Sequence, residues 1–184
     1  GQLDNTVIIF CSDHGDYLGD HDLIGKGTFY EASTRVPLLV RLPGAKGGTV
    51  YEGVSSIEDI TATLLHFGGV PIPAYYDAQP LPQLGVSKLT PRTRIFGYLA
   101  SGCMNFDGEW KLAKYDSGVV QLFNLKEDPH EQQDRSADPA CLAIYRRLDA
   151  ELTAHMLQSV HAAHSEKFVG SEEMWDNEDF GREG

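Results

Sequence analysis

Apolar residues in the N-terminal half of the chain form two short continuous runs and one helical stripe. Residues 7–11 (V-I-I-F-C) are rich in β-branched side chains, a pattern typical of a strand buried on both faces in a parallel α/β sheet. Residues 37–43 form a second run that a proline bounds at each end, which predicts a second strand. Between residues 57 and 65 the apolar positions recur every three or four residues, which predicts an amphipathic helix ending at Gly68.

The stretch between the two predicted strands, residues 12–29, is polar and contains four glycines. It therefore predicts a long loop at the carboxyl end of the first strand, which is where α/β sheets bind ligands. Residues 71–92 are rich in proline and predict an irregular connection across the surface.

Beyond residue 92 the pattern changes to short alternating segments at 94–99, 103–106, 109–115 and 119–125. Asp107-Gly108 and Ser117-Gly118 are typical hairpin turns, so we predict a four-stranded antiparallel meander. Asp138-Pro139 favours a helix start. The core-facing stripe of this long final helix is predicted to be Leu142, Tyr145, Leu148, Leu152 and Met156.

These patterns divide the chain into three parts. Residues 1–92 are predicted to form α/β structure, and residues 93–164 an antiparallel β and helix subdomain. Residues 165–184 form an acidic tail without periodicity, for which we expect an exposed arm. Contact of this tail with another subunit, giving a homo-oligomer, is the alternative interpretation; its aromatic residues are Phe168, Trp175 and Phe180.

Composition narrows the function classes. The chain has 27 acidic and 15 basic residues and a formal net charge of −12, which opposes binding to nucleic acid and to anionic membranes. A small anionic substrate would need a local cation or metal to attract it. The three cysteines are widely spaced and odd in number, which predicts free buried thiols rather than disulfides or a zinc site.

One polar constellation suggests chemistry. Asp13 and His14 directly follow the first predicted strand, and a turn at Gly15 would direct both side chains to one place. A carboxylate beside an imidazole suits a divalent cation. Lys26 follows between Gly25 and Gly27 and would hold an anionic oxygen. Taken alone, the pair is equally compatible with a surface turn, and the lysine with a solvated surface residue.

The longer strings around these residues closely resemble the sulfatases of the alkaline phosphatase superfamily. In that family a strand ends in S-D-H-G, a loop brings G-K-G, and R-V-P opens the next strand. The resemblance continues through a helix followed by G-V-P and extends to about residue 160. The matching segments are 12–21 (S-D-H-G-D-Y-L-G-D-H), 25–31 (G-K-G-T-F-Y-E), 35–37 (R-V-P), 54–70, 107–112 (D-G-E-W-K-L) and 122–131 (L-F-N-L-K-E-D-P-H-E).

The resemblance implies an alkaline-phosphatase-like α/β sandwich followed by the antiparallel sheet and long helix. By position, it implies that Asp13 and His14 are ligands of a divalent cation, calcium in most sulfatases and manganese in some phosphonate-cleaving relatives. Lys26 corresponds to the lysine that binds the sulfate oxygens. His21 would either contact substrate or brace the loop, and we favour bracing. For His66 we expect a core position, and for Glu31 an ion pair with Arg35.

The chain also departs from the family pattern. Sulfatases attack with a formylglycine made within a C-x-P-S-R or C-x-A-x-R motif, and none of Cys11, Cys103 and Cys141 lies in such a motif. The remaining metal ligands of the family belong to an N-terminal half of which the sequence shows no trace. We therefore interpret the chain as the C-terminal portion of a sulfatase that carries only part of the site.

The leading hypothesis is a hydrolase that acts on small anionic sulfate esters or sulfamates, the isolated chain being inactive. The alternative within the superfamily is a phosphonate or phosphate ester hydrolase. A non-catalytic truncated fragment is the alternative from a different class.

Overall fold

The computed structural model describes residues 1–82, 84 and 90–173, with side-chain environments up to residue 163. In chain order the helices and strands are β1 (Ile8–Cys11), α1 (Glu31–Thr34), β2 (Leu38–Arg41), α2 (Glu58–Phe67), β3 (Ile95–Leu99), β4 (Gly102–Phe106), β5 (Trp110–Tyr115), β6 (Val120–Asn124) and α3 (Leu142–Glu173). The predicted mixture of α/β structure, antiparallel meander and long final helix is confirmed.

The strands β1 and β2 pair with each other in antiparallel register, with Phe10 opposite Leu39. Both side chains point largely into solvent, at 61% and 60% exposure. The prediction that the first strand is buried on both faces in a parallel arrangement is therefore wrong for this chain. Within the described residues, no further strand pairs with this two-stranded ribbon.

The helix α2 buries a polar face rather than its apolar stripe. Asp59 and Thr63 are buried, and the Asp59 carboxylate accepts hydrogen bonds from the Arg92 guanidinium, the shorter at 2.6 Å. The Thr63 hydroxyl accepts a hydrogen bond of 2.8 Å from the Leu81 amide. These bonds fasten the connection after α2 to the helix. His66 is exposed, so the expected core position is wrong; the helix turns that residue away from the buried face.

The sheet β3-β4-β5-β6 is an antiparallel meander, as predicted. Because side chains alternate along a strand, its two faces pack against different partners. On one face, Leu112 and Leu122 form a buried cluster with Cys141 and Leu148, which joins the sheet to α3. On the other face, Met104 and Ala113 pack against Phe29, with Ile95 and Tyr115 at the margin.

The helix α3 follows a short 3-10 turn whose first residue, Pro139, comes after a capping aspartate. The Asp138 carboxylate accepts a hydrogen bond from the Ala140 amide at 2.9 Å. Within the predicted stripe, Leu148 and Leu152 are buried, whereas Leu142 and Met156 are more than two-fifths exposed.

The helix continues to Glu173, beyond the predicted boundary at residue 164. Extending an existing helix costs much less free energy than starting one, so residues 165–173 can be helical without an apolar stripe. The rest of the predicted tail, with Trp175 and Phe180, lies outside the described residues. No helix in the described ranges is long and apolar enough to cross a membrane.

The cysteines are free, as predicted, but only Cys141 is buried. Cys11 is exposed and Cys103 is half-buried. Cys11 belongs to the uncovered strand β1, which explains its exposure.

Candidate functional site

The loop between β1 and α1, residues 12–30 and called the site loop below, is closed on itself by hydrogen bonds. The Tyr17 amide donates to the Gly25 carbonyl at 2.8 Å, and the buried Tyr17 hydroxyl lies 2.8 Å from the Thr28 hydroxyl and accepts from the Thr28 amide at 2.6 Å. The Asp16 carboxylate accepts from the amides of Leu18 and Gly25. These bonds draw the second half of the loop back toward its beginning.

Asp13 and His14 lie side by side where the site loop leaves β1. Asp13 Oδ2 and His14 Nε2 are 3.4 Å apart. The Asp13 side chain is 83% exposed. Desolvation favours its neutral form, but hydrogen bonds from the backbone amides of Asp13 and His14, together with the charges of His14 and Lys26, lower the pKa of this carboxyl. The group is therefore a carboxylate at neutral pH.

The His14 ring is oriented by the backbone. Its Nδ1 lies 2.7 Å from the Gly15 carbonyl oxygen. A carbonyl only accepts, so Nδ1 carries the hydrogen and Nε2 keeps its lone pair in the neutral ring. Metal-binding histidines commonly have this arrangement, in which the nitrogen that does not bind the metal donates to a carbonyl.

Lys26 is exposed and lies between two glycines in left-handed conformations. Gly25 has a φ of 78° and Gly27 a φ of 142°. These backbone conformations are unfavourable for any residue with a side chain, so glycine is favoured at both positions. The positive charge of Lys26 is the smallest of the influences that lower the pKa of Asp13. The structure thus places Asp13 and His14 side by side, with Lys26 in the same hydrogen-bonded loop.

His21, the fourth predicted site residue, braces the loop. Its ring stacks on Tyr30 with the centroids 3.7 Å apart and the planes 8° from parallel. The Tyr30 hydroxyl in turn accepts a hydrogen bond of 2.7 Å from the Gln121 side-chain amide on β6. The stacking supports the bracing role that we favoured for His21 over contact with substrate.

The site loop is held against the antiparallel sheet through its last residues. Phe29 is buried among Met104 and Ala113, and its amide donates to the Tyr115 hydroxyl at 3.1 Å. Burial raises the pKa of the Tyr115 phenol even though hydrogen bonds with the Phe29 amide and the Thr28 side chain oppose the change. The hydroxyl therefore remains protonated and available to the backbone at neutral pH.

A buried ion triad, consisting of Glu31, Lys111 and Glu131, holds α1. The Lys111 Nζ lies 2.8 Å from Glu31 Oε1 and 2.6 Å from Glu131 Oε1. The expected pair between Glu31 and Arg35 is therefore wrong, because Arg35 is exposed and Lys111 reaches Glu31 from the sheet. Lys111 and Glu131 were missed as site-related residues, although both stand within strings that carried the family resemblance.

The described residues fit a divalent cation as part of its site. The carboxylate of Asp13 and the imidazole of His14 are donor types that divalent cations accept, and the two groups lie 3.4 Å apart. In the described part of the chain, no group of three or more His, Cys, Asp or Glu residues could hold a metal ion. Asp13 and His14 can thus supply two ligands of a larger set.

Comparison with known proteins gives the family. The family model described as Sulfatase matches residues 1–70, which contain β1 and the whole site loop. The chain belongs to the sulfatase family. This sulfatase chain is 36% identical over 143 residues to an arylsulfatase of Clostridium perfringens, covering 71% of the chain and 29% of the relative. It is 33% identical over 170 residues to the multifunctional alkaline phosphatase superfamily protein PehA of Trinickia caryophylli, covering 79% of the chain and 33% of that protein.

A solved structure extends the similarity to the fold. The phosphonate monoester hydrolase of Agrobacterium radiobacter is 30% identical, with a TM-score of 0.70 over 89% of the sulfatase chain and 36% of the hydrolase. The chain spans about a third of the length of the curated relatives it matches. The fold of the described residues is accordingly that of part of an alkaline-phosphatase-like sulfatase.

Proposed function

We propose that this chain supplies part of the active site of a hydrolase that cleaves small anionic sulfate esters. The observation that supports the proposal most strongly is the adjacency of Asp13 and His14 in a hydrogen-bonded loop that also carries Lys26, in a sulfatase-family chain. The net charge of −12 repels an anionic substrate, so the local positive charge of Lys26 would help to attract one.

Asp13 and His14 would hold a divalent cation. The hard carboxylate oxygen favours calcium, and the imidazole nitrogen makes manganese the alternative. When bound, this cation would polarise the group that is transferred. The hydrogen bond from His14 Nδ1 to the Gly15 carbonyl leaves Nε2 free to bind the cation.

Lys26 would bind the oxygens of the sulfate group. Lys26 is exposed and lies between two glycines in left-handed conformations, so its side chain is accessible to an anion. A positive charge aimed at the transferring group stabilises the negative charge that develops in the transition state.

The nucleophile and the other metal ligands would come from protein outside these 184 residues. No cysteine of the chain lies in a formylglycine motif, and the chain covers about a third of its relatives' length. A formylglycine would then be part of that other portion of the protein.

The same machinery would serve a phosphonate or phosphate ester hydrolase. The similarity to the phosphonate monoester hydrolase and to PehA keeps this second candidate open. Sulfate and phosphonate groups differ little in shape, so the site loop alone does not separate them.

The test uses the product of the complete gene. Mass spectrometry should find a formylglycine, and matched aryl sulfate, aryl phosphonate and aryl phosphate assays should show the highest kcat/KM for the sulfate. A higher value for the phosphonate would favour the second candidate. A gene without a nucleophile motif, whose product hydrolyses none of the esters, would make the chain a non-catalytic fragment and refute both candidates.

A further inference from the structure

We infer that Lys111 is a positioning residue that fixes the site loop on the antiparallel sheet by bridging Glu31 and Glu131. The inference about the loop stands on contacts alone, and its consequence for turnover rests on the proposed function. Lys111 is on β5, far from Asp13 and Lys26 along the chain, and contacts neither of them in the interactions described above.

The first step is the ion triad itself. The Lys111 side chain is 2% exposed, as is that of Glu131, and its ammonium lies within 2.8 Å of a carboxylate oxygen on each side. A buried ammonium is costly unless it is paired, and Lys111 is paired with both carboxylates, donating a hydrogen bond to Glu31 and forming a close ion pair with Glu131. The two acids come from separate segments, which the lysine joins at one point of the sheet.

The second step is the attachment of α1. Besides its contact with Lys111, Glu131 accepts a hydrogen bond from the Glu31 backbone amide at 2.6 Å. Tyr30, the residue before the helix, provides no side-chain cap. Glu131 therefore caps α1 from a distant segment, while Lys111 holds the Glu31 side chain. A helix of four residues cannot form by itself, so α1 depends on these contacts.

The third step leads from α1 to the site. The Gly15 amide donates to the Ser33 carbonyl of α1 at 2.8 Å, directly after the Asp13-His14 pair. Movement of α1 would therefore move the backbone that bears the two metal-ligand candidates. On the other side of α1, Tyr30 carries the stacked His21 ring. Through α1, Lys111 is thus connected to both the Gly15 end and the Tyr30 end of the site loop.

Lys114 is a matched control on the same strand. It points to the opposite face of the sheet and pairs with Asp149 of α3 at 2.6 Å. Removing its charge deletes a lysine–carboxylate pair, although one whose side chains are 37% and 33% exposed, while leaving α1 untouched. The test compares Lys111→Met, Glu31→Gln and Lys114→Met in the 184-residue chain. Glu31→Gln keeps the Lys111 pair with Glu131, so it remains informative if Lys111→Met does not fold.

The measurement is hydrogen exchange of individual amides, without metal or substrate. In Lys111→Met and Glu31→Gln, the amides of Gly15, Tyr17 and Thr28 should exchange at least about tenfold faster, while those of β5 and β6 stay nearly unchanged. Lys114→Met should leave the loop amides as they are. Unchanged loop amides, or acceleration shared equally with β5 and β6, would overturn the inference.

A second readout separates this inference from the proposed function. In the complete enzyme, Glu31→Gln should lower kcat on its best ester while the folded fraction stays the same. Normal kcat with accelerated loop exchange would overturn the catalytic consequence of the positioning. Failure of sulfate ester hydrolysis in the unmutated enzyme would refute the proposed function and leave the exchange result standing.

Discussion

The Gly15 amide nitrogen lies 2.8 Å from the Ser33 carbonyl oxygen, so the start of the site loop is pressed against α1. The approach is so close that a Cβ at Gly15 would lie 2.0 Å from the Ala32 carbonyl oxygen. Glycine is thus required here for the approach of two backbones. The position of Asp13 and His14 depends on this contact, since they immediately precede it.

Replacement of Gly15 by alanine should therefore displace the loop. We expect Gly15→Ala to lower the free energy of unfolding by about 1 to 3 kcal/mol, as overpacking does elsewhere. Gly47→Ala is the control, because a Cβ at Gly47 meets nothing within 4 Å. Urea denaturation of both variants measures the difference. Equal stability of the two variants would contradict the close contact.

The hairpin between β4 and β5 gives a prediction about pH. Asp107 accepts hydrogen bonds from the Trp110 amide at 2.7 Å and the Arg147 guanidinium at 2.6 Å. Burial favours its neutral form, but these bonds outweigh burial and lower the pKa of its carboxyl. A lowered pKa in the folded state stabilises the protein at neutral pH, and this stabilisation is lost as the pH falls through the folded-state pKa.

We therefore expect Asp107→Asn to lower the free energy of unfolding at pH 7 by about 1 to 3 kcal/mol, the usual range for hydrogen bonds to charged groups. The difference from the unmutated chain should shrink as the pH falls below about 4, where the aspartate is protonated in the unfolded chain. Melting curves between pH 3 and pH 7 measure it. A difference that grows toward low pH would refute this account of Asp107, and Asp116→Asn on the exposed neighbouring hairpin serves as control.

The isolated 184-residue chain should hydrolyse neither aryl sulfates nor phosphate esters, because it lacks the motif for the nucleophile. Purified chain would be assayed beside the complete enzyme at equal concentration. Turnover that chelation and Lys26→Ala both abolish would show that a nucleophile exists within these residues.

Calcium should bind the isolated chain only weakly. Calcium requires about six to eight oxygen ligands, whereas Asp13 and His14 supply two side chains, so water must complete the set. Calorimetric titration should give a dissociation constant weaker than about 10⁻⁴ M. Submicromolar binding that disappears in Asp13→Ala would show that further ligands lie within the chain.

Local patterns predicted the antiparallel part well. The turn at Asp107-Gly108 could be recognised because Gly108 adopts a φ of 93°, which favours glycine. The alternation of side chains then gave the strands on either side. Leu148 could be placed in the core because the apolar stripe of α3 packs against the antiparallel sheet, which is part of the same chain.

Features that depend on distant partners could not be predicted. Lys111 reads as an ordinary polar position in a strand, and its partner Glu31 lies 80 residues away. Arg35 appeared the better partner only because it is close along the chain. Similarly, the apolar sequence of β1 indicates a strand suited to burial, but it does not show which layer covers Phe10.

For the site, the sequence strings provided Asp13, His14 and Lys26, since their spacing follows the family pattern. The structure adds how the loop that carries them is closed. Tyr17 and Gly25 close the loop by a backbone bond of 2.8 Å, and neither residue carries a recognisable chemical signal by itself. The assignment of the three residues to metal and sulfate binding stays a prediction.

The assignment of Lys26 is tested most directly by comparing Lys26→Ala with Leu148→Ala in the complete protein, measuring both melting temperature and kcat. Lys26 is exposed, so its removal should leave the melting temperature nearly unchanged but lower kcat for an aryl sulfate by about 10²- to 10³-fold, as loss of an oxyanion donor does. Leu148 is fully buried, so its truncation should cost about 2 to 5 kcal/mol of stability while the folded enzyme turns over normally. Early melting of Lys26→Ala with normal turnover of the folded fraction would contradict the proposed active site.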